Sequence, residues 1–120
     1  MTLTFQVIGG RGVGKTTFVS KVSKSIATVY DSEEDFLQDF KICSHYLVCF
    51  ALDDLRSVMN INRWISYLHR HYPEASYSVI ALKYDCKLIN RSDIKRYLDI
   101  KYYKVKHPNK LMKSIIKKLK

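Results

Sequence analysis

The chain has 120 residues, of which 47% are hydrophobic and 27% charged, and a formal net charge of +10. This length suits one domain with a single hydrophobic core, and the hydrophobic content argues against a disordered chain. We therefore predict a single domain over residues 1–120. No apolar stretch approaches the roughly 18 residues that a transmembrane helix needs. The three cysteines form no CxxC pair, so we expect reduced thiols and a cytoplasmic protein.

The positive charge is concentrated near the C-terminal end. Residues 1–82 carry 8 Lys+Arg and 8 Asp+Glu, whereas residues 83–120 carry 13 Lys+Arg and 3 acids, so the last third holds the whole excess. Such a region indicates either peripheral contact with an acidic surface or a solvated helix face, and both interpretations stay open. Nucleic acid is the less favoured partner, because the chain has no RNA-binding sequence signature.

Predicted strands and helices alternate along the chain. Residues 3–8 form a strand, and not a signal peptide, and a helix runs from Lys15 to about residue 24 because apolar residues recur there at helical spacing. Further strands are predicted over residues 25–30, 45–52, 76–82 and 102–105, and further helices over 92–98 and 108–119. Between the second and third strands lies an acidic stretch, residues 31–35, followed by a short helix or loop over 36–40.

The longest predicted helix follows the apolar run 45–52. It begins at a cap formed by Asp53 or Asp54 and ends at Tyr72-Pro73. Its core-facing residues are predicted to be Leu55, Val58, Met59, Ile61, Trp64, Ile65 and Leu68. The nearly unbroken run 45–52 is typical of a strand buried on both faces of a parallel sheet. Alternating strands and helices pair in parallel through right-handed crossovers, so we predict an α/β three-layer sandwich with a mainly parallel sheet of about five strands.

Residues 9–16, GGRGVGKT, have the spacing G-x4-G-K-[ST] between a predicted strand and a predicted helix. In that context the pattern is a P-loop, whose glycines let backbone amides point at nucleotide phosphates. We predict that Lys15 contacts the outer phosphates and that the Thr16 hydroxyl binds Mg²⁺, with the helix amino terminus adding partial positive charge. The predicted phosphate-binding residues are Gly9, Gly10, Arg11, Gly12, Val13, Gly14, Lys15, Thr16 and Thr17.

Magnesium in such sites also uses an acidic residue at the end of a neighbouring strand. Asp31 and Asp53 are the two candidates. Asp53 can be explained as a helix cap, so we favour Asp31 as the second magnesium ligand beside Thr16. The acids at residues 33–35 weaken that choice, because they would place negative charge near a triphosphate.

Residues 9–19, GGRGVGKTTFV, resemble the start of Ras-superfamily small GTPases, and the likeness continues in outline over nearly the whole chain. Residues 79–85, VIALKYD, stand where that family has its guanine-reading motif NKxD. The resemblance implies a small-GTPase-like P-loop NTPase fold that binds GTP or GDP with Mg²⁺. It also implies that Asp85 accepts hydrogen bonds from guanine and that the stem of Lys83 lies along the base. An ordinary turn role for Asp85 stays open.

The sequence departs from the family at several places. The interval between the first helix and the central strand is much shorter, and no DxxG element can form because all four glycines lie in the P-loop. If Asp31 stands at the aspartate of that element, Glu34 replaces its glycine and Asp35 replaces the glutamine that orients water. Further replacements affect the base and phosphate sites: Leu82 for the asparagine of NKxD, Lys106-His107 for a Ser-Ala pair, and Arg11 for a small P-loop residue. Hydrolysis is therefore expected to be slow or absent, which leaves at most a weak GTPase.

Three functions remain open at this point. The first is a minimal GTP-binding domain that acts through a protein partner. The second is a pseudo-GTPase, an interaction module that binds nucleotide weakly or never. The third is a small nucleotide kinase-like phosphotransferase, which is disfavoured because so short a chain shows no lid segment and no arginine-rich substrate loop.

Overall fold

The predicted alternation of strands and helices is present in the structure, a computed structural model that describes residues 3–10, 12–30, 43–86 and 89–119, with Cys86 as backbone only. The strands are β1 (Thr4–Gly9), β2 (Thr28–Tyr30), β3 (His45–Ala51), β4 (Tyr77–Leu82) and β5 (Tyr102–Lys104). The helices are α1 (Lys15–Lys21), α2 (Leu55–Met59), α3 (Ile61–His71), α4 (Arg91–Tyr97) and α5 (Pro108–Leu119), and a short 3-10 turn covers Tyr84–Cys86.

The five strands form one sheet in the order β2-β1-β3-β4-β5. Every neighbouring pair is parallel, with Val7 of β1 beside Leu47 of β3 and Val48 of β3 beside Val79 of β4. The α/β class with a parallel sheet of five strands is therefore confirmed. The chain first moves from β1 to one side and then returns to the other, so the strand order reverses between β1 and β3. Ligands of open α/β sheets bind beyond the carboxyl ends of the strands at such a point.

Helices cover both faces of the sheet, because side chains along each strand point alternately to the two sides. All seven residues of β3 are buried, as predicted for a strand covered on both faces. On one face, α1 packs on the strands through Phe18, α5 packs through Met112 and Ile115, and Val22, just after α1, joins the same core. On the other face, α2, α3 and α4 pack through Val58, Ile61, Trp64, Leu68 and Ile94.

The predicted long helix is wrong in one respect, since it is two helices that meet at Asn60. Asn60 ends α2 and precedes α3; its backbone is close to helical, with φ −87° and ψ −7°, and its side chain makes no capping hydrogen bond to α3. The break changes which side of α2 meets the sheet. Leu55 and Met59, predicted to face the core, are consequently 38% and 50% exposed.

The cap of α2 is Asp54, whose carboxylate accepts a hydrogen bond from the Arg56 N–H at 3.0 Å. Asp54 has the extended backbone, φ −139° and ψ 102°, that a capping residue needs. Of the two predicted caps, Asp54 is therefore the one that caps the helix, and Asp53 does not cap it.

The first helix and the second strand are both shorter than predicted. Helix α1 ends at Lys21 because Val22 is extended, with φ −82° and ψ 126°, and is buried against the core. The Ser23 N–H then donates to Asn109 Oδ1 at 2.7 Å, which holds the turn against α5. Strand β2 therefore begins at Thr28 and not at residue 25. The acidic stretch 31–35 and the segment 36–40 lie outside the described residues.

A buried histidine lies at the amino end of the sheet, opposite the end where the chain leaves β1 toward α1. His45 is 4% exposed, and its two ring nitrogens are within hydrogen-bond distance of Ser76 Oγ (2.8 Å) and Ser78 Oγ (2.7 Å). Burial lowers the pKa of His45 to about 4, because the charged imidazolium loses its hydration there. The folded protein thus keeps this ring neutral at physiological pH.

Within the described ranges, the structure has no helix of the length and apolar character required to cross a lipid bilayer.

Candidate functional site

The loop between β1 and α1 lies at the carboxyl edge of the sheet. Gly12 and Gly14 have φ values of 76° and 102°, in the left-handed region that only glycine adopts without strain. Val13 between them is 1% exposed and packs into the core beside α1, which fixes the loop to the domain. Left-handed residues at alternating positions occur in backbone nests that bind anions through N–H groups. Arg11, also predicted to belong to this loop, lies outside the described residues.

Gly9, the first glycine of the motif, serves the sheet. It pairs with Cys49 of β3, and a Cβ atom added there would lie 2.8 Å from the Cys49 carbonyl oxygen. Such a contact is too close for any side chain to be accepted without movement of the backbone. At Gly10 the corresponding Cβ would have no atom within 4 Å. The glycine at position 9 is therefore needed for strand packing, whereas position 10 has open space around it.

Lys15, the first residue of α1, is buried at 7% exposed. Its Nζ donates a hydrogen bond to the Gly9 carbonyl oxygen at 2.5 Å, so the ammonium group is held against the loop. Thr16 and Thr17, the next two residues, are exposed. The predicted phosphate ligands of this segment therefore lie together at the start of α1, with a cation beneath the loop and two threonines at the surface.

A cleft of about 200 Å³ adjoins the loop and brings together residues from distant parts of the sequence. Gly14 and Thr17, predicted to bind phosphate, line it together with Lys83 and Asp85, predicted to contact the base. Val105 and Lys106, which follow β5, complete one side. The cleft thus joins the two halves of the predicted site.

Lys83 is held by the carboxylate of Asp53, the less favoured of the two predicted magnesium ligands. The Lys83 Nζ atom lies 3.6 Å from Asp53 Oδ2. Among the described residues, Lys83 is also the only one other than glycine with a positive φ, 57°. The other carboxylate oxygen of Asp53, Oδ1, is buried and has no hydrogen-bond partner among the described residues. An unpaired buried oxygen costs free energy, and its explanations include a bound water or ion as well as a functional role.

The choice of magnesium ligands changes in one respect. Asp31 was favoured because Asp53 was expected to cap a helix, and that reason is wrong since Asp54 is the cap. Asp31 itself lies outside the described residues, so its role stays a prediction. Within the described ranges, no group of three or more His, Cys, Asp or Glu residues lies together. This does not argue against Mg²⁺, which is usually held by one or two protein oxygens together with phosphates and water. The exposed Thr16 at the start of α1 fits that pattern.

Comparison of the sequence with known protein families and with curated proteins gives no match. The functional assignment therefore depends on the geometry of the loop and the cleft.

Proposed function

We propose that this chain is a minimal P-loop domain of the small-GTPase type, which binds GTP or GDP with Mg²⁺. The supporting observation is the shared cleft, in which Gly14 and Thr17 of the phosphate loop meet Lys83 and Asp85. Topology agrees, because the loop follows β1 at the point where the strand order reverses. The sheet with helices on both faces then takes the form of a P-loop three-layer sandwich.

The phosphates bind at the loop through backbone amides and Lys15. The left-handed conformations of Gly12 and Gly14 exist before binding, so the amides need little rearrangement to meet an anion. Lys15 exchanges its hydrogen bond to the Gly9 carbonyl oxygen for a stronger, charge-assisted bond to a phosphate oxygen. Thr16, together with Asp31, holds the Mg²⁺ ion, which neutralises phosphate charge.

The base occupies the cleft. Its volume of about 200 Å³ is below the roughly 300–1,000 Å³ of pockets that enclose a whole ligand. It therefore takes the base, while the phosphates lie on the open loop. Following the family resemblance, Asp85 accepts hydrogen bonds from guanine N1 and N2. Asp53 restrains Lys83 so that its stem lies along the base.

Hydrolysis is slow or absent in this proposal. Phosphoryl transfer to water depends on groups that orient the water and stabilise charge. All four glycines belong to the phosphate loop, so the element that contacts the third phosphate in small GTPases cannot form. The chain keeps the parts for binding and lacks recognisable parts for turnover.

A pseudo-GTPase, a protein-interaction module without nucleotide turnover, is the second candidate function. The burial of Lys15 favours it, because this lysine must leave its bond to Gly9 before it can reach a phosphate. No feature of the described residues favours the nucleotide kinase-like phosphotransferase.

Titration with fluorescent GDP, GTP and ATP, each with Mg²⁺ and with EDTA, tests the proposal. We expect saturable binding of the guanine nucleotides, weaker binding of ATP, and loss of affinity in EDTA. Absence of binding by all three nucleotides would overturn the proposal and favour the pseudo-GTPase, which acts as a protein-interaction module. Release of phosphate from GTP, measured over hours, then separates slow hydrolysis from none.

A further inference from the structure

The exposed edge of the sheet at β5 has features of a binding surface. β5 is the last strand of the sheet order, and within the described residues its register is shared only with β4. An edge strand presents backbone N–H and C=O groups that can pair with another strand. The accessible backbone of β5 is therefore suited to an extended polypeptide.

Two grooves run beside this edge, with volumes of about 640 and 520 Å³. They share Arg91, Ile100 and Tyr102, so they form one continuous depression. Ile100 is 39% exposed within it and offers an apolar contact. We call this depression and the adjoining strand the β5 surface, defined by Arg91, Lys95, Ile100, Lys101, Tyr102 and Lys104.

The β5 surface is strongly positive. Arg91, Lys95, Lys101 and Lys104 line the grooves, against one carboxylate, Asp99. All four basic residues are exposed. In the part of the chain that the structure describes, Arg91, Lys95 and Lys101 have no carboxylate within ion-pair distance. The charges of Arg91, Lys95 and Lys101 are thus available to an acidic partner.

We propose that the β5 surface binds an acidic extended segment of a partner protein, which adds to the sheet as a strand beside β5. Backbone pairing supplies part of the affinity, and alternate side chains of the added strand enter the grooves. The bound segment carries Asp or Glu opposite the lysines and one apolar residue against Ile100.

Charge excludes a second copy of β5 as the occupant. Two such edges would place like charges opposite each other, which is destabilising in paired strands. Lysines on an edge strand therefore prevent self-pairing, while the same lysines attract an acidic strand.

The aromatic residue of β5 that faces α5 is not available to stack on nucleic-acid bases. The Nζ atoms of Lys101 and Lys118 lie 5.3 and 4.7 Å from the ring centroid of Tyr103, and Lys118 Nζ also donates to Tyr103 Oη at 2.8 Å. Proteins that bind single strands without sequence preference use open aromatic rings as stacking platforms. This arrangement favours an acidic peptide over a nucleic acid.

Fluorescent peptides of about six residues, the usual length of a strand, test the proposal on the full chain. One peptide alternates Glu and Val, a second has a central proline, and a third alternates Lys and Val. We expect the Glu–Val peptide to bind at least about 10-fold tighter than the other two, since proline blocks strand pairing and lysine reverses the charge. Amide exchange at Tyr102 should slow when it binds, because the Val105 N–H donates to β4 and the Tyr102 N–H, three residues before it, points to the outer edge.

Two double variants with the same change of net charge supply the control. Lys95→Glu with Lys101→Glu alters the β5 surface, whereas Lys113→Glu with Lys117→Glu alters exposed positions of α5. We expect the first pair to weaken peptide binding about 10-fold or more and the second to change it less than about threefold. Equal losses in both pairs, binding that tolerates proline, or no binding of the Glu–Val peptide at an ionic strength of about 0.15 M would each overturn the proposal. Tighter binding of a single-stranded oligonucleotide, lost in the first pair, would identify a nucleic-acid surface instead.

Discussion

The predicted phosphate loop and the cleft proposed to hold the base adjoin each other but are built in different ways. The loop is a local structure, in which Gly9, Gly12 and Gly14 serve through backbone conformation and close packing. The cleft is assembled from the ends of β4 and β5 and from α1, and it depends on the side chains of Lys83 and Asp85. Local backbone structure can be predicted from a short motif. A cleft lined by side chains from distant segments can be predicted only when the order of the strands is known.

The loop and the cleft should therefore respond differently to substitution. Changes in the loop should affect every nucleotide or the fold itself, and changes in the cleft should affect the choice of base. Four of the five predictions below test this difference, and the other concerns the stability of the fold at acid pH.

Lys15→Ala should have the largest effect on nucleotide affinity. Loss of a charge-assisted bond to phosphate lowers affinity for GDP, GTP and ATP alike, by about 100-fold. Titration with the three fluorescent nucleotides measures it. Lys24→Ala, which removes the same charge from an exposed position after α1 and outside the cleft, is the matched control and should have a small effect. Equal losses in both variants would mean that only net charge matters.

Acid pH should destabilise the fold through His45, far from both regions. Its pKa of about 4 lies below the ordinary value near 6.5, so the unfolded chain binds a proton more readily than the folded one. This contribution to stability is complete above about pH 6.5 and is lost as the pH falls toward 4, a total of about 3 kcal/mol.

Urea unfolding of the wild type and of His45→Gln from pH 7.5 to 4.5 checks this. We expect a steeper loss of stability in the wild type than in the variant. Parallel curves would show that another group is responsible. The result also sets the pH range, above about 6.5, in which nucleotide binding can be compared without unfolding.

Gly9→Ala and Gly10→Ala form a matched pair within the loop. The first places a Cβ 2.8 Å from the Cys49 carbonyl oxygen, and the second meets no atom within 4 Å. We expect Gly9→Ala to lower the free energy of unfolding by about 1 to 3 kcal/mol, as overpacking does, and Gly10→Ala to leave it nearly unchanged. Similar thermal unfolding of the two variants would contradict the close approach of β1 and β3.

Asp85→Ala should act on the base alone. Loss of charged hydrogen bonds to guanine should reduce the preference for GDP over ADP by about tenfold and leave ADP affinity unchanged. Competition titration measures the ratio, with Asp99→Ala, which lies outside the cleft, as the control. An unchanged preference would show that Asp85 is an ordinary turn residue.

Asp53→Ala should have the smallest effect. The Asp53–Lys83 pair is partly exposed, and pairs of this kind contribute up to about 1 kcal/mol. Guanine-nucleotide affinity should fall by about threefold to fivefold as Lys83 loses its restraint. The neighbouring Asp54→Ala should instead lower stability by about 1 kcal/mol through loss of the α2 cap, without a change in affinity. A loss of stability in Asp53→Ala and a loss of affinity in Asp54→Ala would show that the roles of the two aspartates are exchanged.

The parallel sheet and its helices were predictable because each depends on local residue patterns. The apolar run of β3 shows burial on both faces, and the spacing of Phe18 and Val22 shows the side of α1 that meets the core. The break at Asn60 was missed, since apolar residues continue at helical spacing across it. The choice between Asp53 and Asp54 depends on backbone angles that no residue pattern reveals.

The remaining site features depend on contacts between distant segments. Lys83 meets Asp53 only because β3 and β4 are neighbours with a particular register. His45 lies between two serines of the β4 region for the same reason. The phosphate-binding role of the P-loop residues stays a prediction, and the weaker base motif gains its proximity to that loop only from the cleft.

The backbone conformation of Lys83 lowers the stability of the fold, whereas its side chain has a proposed role in ligand binding. A lysine at φ 57° is held in a conformation that costs a residue with a side chain roughly 1–2 kcal/mol, and which glycine adopts freely. A substitution to glycine would relieve this strain, but it would also remove the side chain that we propose lies along the base. If related sequences keep lysine at position 83, selection for ligand binding is indicated. If they carry glycine there, the fold has been kept without that binding function.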